Sequence, residues 1–145
     1  MTDQQRKTLR TLYDTYHLEK DDVFTTKNWT IITRSGIEKI QAIEKINVKF
    51  IPIAIETFPY FYEVDGKAKS ILATHVTVKA IGEMEGVVVE TFASASPMNT
   101  QSTYYVEMAE KRGLSRVVLK LTNLYQEGVF GEDEGVVDEP AGTPE

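Results

Sequence analysis

The chain has no cysteine among its 145 residues. That excludes disulfides, thiolate zinc sites and cysteine nucleophiles together, and it suits a reducing compartment. Histidine is nearly as scarce: His17 and His75 are the two present, they fall in different expected elements, and a lone histidine on a strand is more often a surface residue than a base. No HExxH, glycine-rich phosphate loop, GxSxG or EF-hand pattern occurs. The best nuclease candidates, Glu83, Glu85 and Glu90, sit in or beside a hairpin with no lysine or histidine at a useful spacing. The sequence therefore reads as a non-enzyme, with no catalytic residue, metal ligand or cofactor. No apolar run approaches the roughly 20 residues that cross a bilayer, and the start MTDQQRKTLR lacks the apolar core of a signal peptide. The expectation is a cytoplasmic protein without a membrane contact.

What is present fits one globular domain, with 41% hydrophobic and 26% charged residues. The formal net charge of -6 argues at first against nucleic acid, whose binding needs clustered cations. Its distribution changes that. Seven of the 22 acids lie in residues 127–145, which hold no lysine or arginine, so residues 1–126 carry 16 cations against 15 acids. The expectation is a single α+β domain over 1–126, with residues 1–20 as an N-terminal helical arm, and an acidic, disordered tail over 127–145.

Along the chain, Leu9, Leu12, Tyr13 and Tyr16 recur at helical spacing, and this first helix docks on its own core or on another copy. The segment EKDDVFTTKNWT reads as loop with a short strand. In SGIEKIQAIEKI, Ser35 and Glu38 form a capping box, and Ile37, Ile40 and Ile43 make one stripe of a short helix. From Asn47 the period falls to two. Ile51, Ile53 and Ile55 point one way, with Pro52 marking an edge strand or a bulge. Asp65-Gly66 signals a hairpin. In ILATHVTVKAI, Leu72, Val76, Val78 and Ala80 face one side, and His75, Thr77 and Lys79 the other. A second turn, GEMEG, leads into VVVETFASAS. This is an antiparallel meander of three or four strands with one apolar face.

One long helix must cover that face. Leu114, Val117, Val118, Leu121, Leu124 and Tyr125 fall in one broad stripe, while Arg112, Arg116 and Lys120 lie four residues apart on the opposite side, with Lys111 on the flank. Any amphipathic helix turns such residues to water. Three cations along about 12 Å of helix can also follow a phosphate backbone. Tyr104, Tyr105, Phe92, Trp29 and the FPYFYEV cluster could supply stacking surfaces, although Phe58, Phe61 and Trp29 are expected in the core.

The succession HVTVKAI, turn, VVVETFASASP, helix YYVEMAEKRGLSRVVLKLTNLY and VFGEDE resembles the core of phage and eukaryotic single-strand annealing proteins, of the Erf and Rad-fifty-two types. It is similar also to small phage proteins in which ITRSGIEKI precedes a sheet. The resemblance spans roughly residues 30–134. It implies single-stranded DNA binding and annealing in recombination or repair, by a homo-oligomeric ring or filament. It makes Arg112, Arg116 and Lys120 the first choices for backbone contacts, then Lys111, Arg34 and Lys79. Arg34 enters because it precedes the helix capped at Ser35, where backbone donors favour an anion. The acidic tail would guard the groove or dock a single-strand binding protein or nuclease. The rival expectation is a small phage protein that blocks a host protein through its acidic tail and aromatic surface.

Overall fold

The computed structural model describes residues 1–97 and 104–134. The fold is α+β. Helix α1 (Asp3–Tyr16) leads into β1 (Val23–Thr25), β2 (Thr30–Ile32) and α2 (Arg34–Glu44). The meander β3 (Asn47–Val64), β4 (Lys67–Met84) and β5 (Val87–Ala95) follows, then α3 (Tyr105–Leu121) and a last short strand, β6 (Val129–Gly131). β3, β4 and β5 form one antiparallel sheet in chain order, and β1, β2 and β6 a second, with β6 parallel to β2.

The meander follows from turns that its sequence dictates. Asp65-Gly66 and Glu85-Gly86 all take positive φ, the conformation of two-residue hairpin turns whose twist matches that of the strands. Helix α3 lies across one face of this sheet, and small residues let it sit close. A Cβ on Gly113 would come within 2.9 Å of Ala80 Cβ, and one on Gly82 within 2.8 Å of Val117 Cβ. Gly113, unfavourable for helix propensity, is thus a packing requirement. Beneath the helix start, Val76, Val78, Ala93, Ala95 and Ala109 form one buried cluster. The larger core joins α3 to α1, α2 and the small sheet through Leu12, Ile32, Ile37, Ile40, Val118 and Val129.

Helix α1 docks on its own chain. Gln5 Nε2 donates to the carbonyl of Thr26 at 3.0 Å, and Tyr16 Oη donates to Glu44 at 2.7 Å.

Several expectations need correction. The cap of α2 is Thr33, whose hydroxyl accepts from the Gly36 amide at 3.3 Å, so Ser35 lies inside the first turn. Ile43 leaves the stripe and is exposed. A bulge between Pro52 and Ala54 splits the isoleucine series: Ile51 pairs with Lys79 and Ile55 with Val76, on opposite faces. Helix α3 ends at Leu121, and Leu124 and Tyr125 belong to a 3₁₀ turn that follows it. The folded unit does not stop at residue 126. Val129–Gly131 adds a strand to the small sheet, and Glu132–Glu134 form a further 3₁₀ turn. The rest of the expected acidic tail, 135–145, lies outside the described residues. Among those described, no helix is long and apolar enough to cross a membrane.

Candidate nucleic-acid interface

The meander's outer face, turned away from α3, carries the alternate residues of β4. His75, Thr77 and Lys79 lie there with their cross-strand neighbours on β5: Ser94 opposite Thr77 and Phe92 opposite Lys79. Phe92 is 56% exposed, an aromatic ring on a wet sheet face beside a cation. Lys79 also pairs with Glu90. At the β5 edge, His75, Thr77, Phe92, Ala93, Ser94 and Arg116 line an open recess of about 200 Å³.

The cations of α3 are disposed otherwise than as a solvated row. Arg112 is 8% exposed. Its Nη1 donates to the carbonyl of Ser94 at 2.7 Å and its Nε to the carbonyl of Asp133 at 2.8 Å. Burial holds its pKa below the usual guanidinium value, partly offset by Asp133. Arg116, half-buried, donates to the carbonyl of Phe92 and lies 4.0 Å from the Glu134 carboxylate. Lys111 and Lys120 are exposed. The basic face is therefore split: two arginines turn onto the sheet edge, and two lysines reach water. The physical reason is that α3 lies along β5, so the side of the helix opposite its apolar stripe still meets strand carbonyls.

A second recess, of about 250 Å³, is lined by Arg34, Met108, Lys111, Glu132 and Asp133. The backbone N–H of Arg34 donates to Glu132 Oε1 at 3.1 Å, so the start of α2, expected to favour an external anion, already holds a carboxylate of the chain itself. Arg34 Nε lies 3.6 Å from Glu38. The neighbouring acids fold inward. Ser115 donates to Asp133 at 2.9 Å, and Gly131 N–H to Glu134 at 2.7 Å, with Tyr125 Oη donating to the same carboxylate. Burial raises the pKa of both acids against these hydrogen bonds, and burial with the Glu134 contact raises that of Tyr125.

The structure thus sets Lys79 of the central strand opposite Phe92 on the outer face, puts Arg116 on the Phe92 carbonyl at the β5 edge, and brings Arg34 and Lys111 together in another recess. Lys120 is exposed, one turn beyond Arg116. The sequence offered a signal for the outer face, since His75, Thr77 and Lys79 alternate; it offered none for their meeting with Arg116 around the strand. No protein-family model, no curated protein and no solved structure matches the chain.

Proposed function

We propose that the protein binds and anneals single-stranded DNA in phage-type recombination or repair, acting without chemistry and as an oligomer. The observation that carries this reading is Phe92, exposed on a sheet face directly opposite Lys79. An exposed ring offers any base a stacking surface regardless of sequence. Lys79 and Arg116 flank it with positive charge for phosphates. Lys79 exchanges its partner Glu90 for a phosphate, a small cost because exposed ion pairs contribute about 1 kcal/mol or less. Bases that stack on one side of an open face keep their pairing edges available to a complementary strand. The hairpin of β4 and β5 followed by α3 supports the reading too, because a β-hairpin followed by a helix is what the resemblance to annealing proteins implies.

The test is fluorescence anisotropy with labelled oligo-dT across a salt series. Binding should weaken linearly in log salt. Phe92→Ala should lower affinity roughly tenfold, the scale of one stacking contact, and Lys79→Ala should reduce the salt slope by about one. Absence of binding at about 50 mM salt, or a Phe92→Ala variant that binds as the parent does, overturns the reading.

A further inference from the structure

Among the described residues, the hairpin of β3 and β4 outruns what covers it. β5 pairs with β4 only from Val76 onward, so residues 56–64 and 67–75 form a two-stranded ribbon that projects about 30 Å at roughly 3.3 Å per residue. An isolated two-stranded ribbon is marginally stable in water. This one is also apolar on both faces. Phe61 is 73% exposed and Leu72 74%, and they share the α3-side face with Ile55. Val64 and Ile71 are exposed on the other face, beside the stacked pair Tyr60 and Tyr62. Phe61, expected in the core, is therefore among the most exposed large side chains.

We propose that this ribbon is an arm covered by a second copy of the same chain. The inference rests on the oligomeric part of the proposed function and names the surface responsible. Charge argues against the other occupants. Lys67 and Lys69 are set against Glu56, Glu63 and Asp65, so the ribbon lacks the cationic excess that nucleic acid or an anionic bilayer requires. Area argues for insertion of the whole arm. One ribbon face, about 30 Å by about 10 Å at the usual strand spacing, is less than half of the roughly 800 Å² that each partner buries in a stable interface. Both faces together reach about three quarters of it.

The sheet edges are guarded against the competing mode, strand addition. On β5, arginines from α3 occupy the carbonyls of Phe92 and Ser94. On β3, Pro59 sits opposite Leu72. Counting back from the two-residue turn, hydrogen-bonded and non-bonded pairs alternate and Pro59 falls on a non-bonded pair. The N–H that it lacks would therefore have pointed to the open edge. The ribbon's β3 edge is blunted and its faces are apolar, so a neighbour meets it face-on; residues 67–75 of β4, which β5 does not reach, keep an open edge.

Light scattering during size-exclusion chromatography tests this, comparing the parent with the double variant Phe61→Thr, Leu72→Thr. Threonine keeps strand propensity while removing apolar surface. The parent should elute at twice 16.4 kDa or more, and the variant should fall toward a single chain with its far-UV circular dichroism unchanged. Hydrogen exchange should show ribbon amides protected in concentrated parent and unprotected on dilution. A parent that stays at one chain's mass, a variant that keeps the parent's mass, or an oligomer whose ribbon exchanges freely overturns the inference. Oligo-dT anisotropy on the same variant keeps the two readings apart: a monomer that still loses affinity on adding Phe92→Ala preserves the DNA contact even if the arm is misassigned.

Discussion

Arg116 donates to the carbonyl of Phe92, and one helical turn earlier Arg112 donates to the carbonyl of Ser94. Four residues of helix rise about 6 Å and two residues of strand advance about 6.7 Å, so the two spacings match. A four-residue row of arginines fits the outward carbonyls of an edge strand as well as it fits a line of phosphates.

The two arginines should therefore behave differently. Arg112→Leu removes two charge-assisted bonds from a buried setting and should cost about 3 kcal/mol or more, read as a lower urea midpoint at constant m-value. Arg116→Ala, at a half-exposed position, should cost about 1 kcal/mol or less and leave a folded protein in which DNA binding can be assayed. Equal losses at the two positions would contradict the assignment of Arg112 as a structural clamp.

Gly113 poses a direct contest between propensity and packing. Helix propensity alone says that Gly113→Ala gains up to about 1 kcal/mol. The new Cβ would lie 2.9 Å from Ala80 Cβ, a contact that must push α3 off the sheet at about 1–3 kcal/mol. The packing term is larger, so denaturation should show net destabilisation; a stabilised variant would mean that α3 sits less tightly than described.

The same contest explains what could be read from the sequence. Period-two alternation in β4 and the Asp65-Gly66 signal placed the meander, and the 3.6-residue stripe of Leu114, Val117, Val118 and Leu121 placed the covering helix, because both patterns record burial directly. The small sheet was mostly illegible. Its strands are three residues long, too short to show a period, and β6 sits in a glycine- and acid-rich stretch whose composition mimics a tail. For the interface, alternation identified Lys79 and His75 as outward-facing. The helix period could not say whether Arg112 and Arg116 met water or a strand, since that depends on where β5 lies beneath them. Residue type alone points Phe61 to the core, and nothing local reveals that the ribbon extends past its cover.

The start of α2 gives a third test. With Thr33 as the cap, Thr33→Ala should cost about 1 kcal/mol, and Thr33→Asp should recover most of it by accepting the same amide. Thermal midpoints of the three proteins decide the matter; an indifferent Thr33→Ala would return the cap to Ser35.

The last expectation concerns pH and the segment Glu132–Glu134. Burial raises the pKa of Asp133 and of Glu134 in the folded chain. In that window the native state binds more protons than the unfolded one, so stability falls as pH rises. The favourable contribution is complete below the unfolded values, about 4, and is lost as pH climbs through the raised folded values. Asp22 runs the other way. Burial opposes its ionisation, but the Glu19 amide at 2.8 Å and Lys39 at 2.5 Å outweigh it and lower its pKa, so its contribution is lost at the acid end. A comparison of variants isolates the buried acids from that trend. Glu134→Gln keeps an acceptor for the Gly131 amide without carrying a charge, so its stability relative to the parent should improve as pH rises above the unfolded carboxylate values, about 4. Trp29, the single tryptophan, packs edge-on against Phe130 of β6 with ring centroids 5.2 Å apart. Its fluorescence therefore reports on the strand that leads into this turn. Urea midpoints followed through Trp29 that show the same pH slope for Glu134→Gln and the parent would mean that the Glu134 carboxylate is not held against its ionisation.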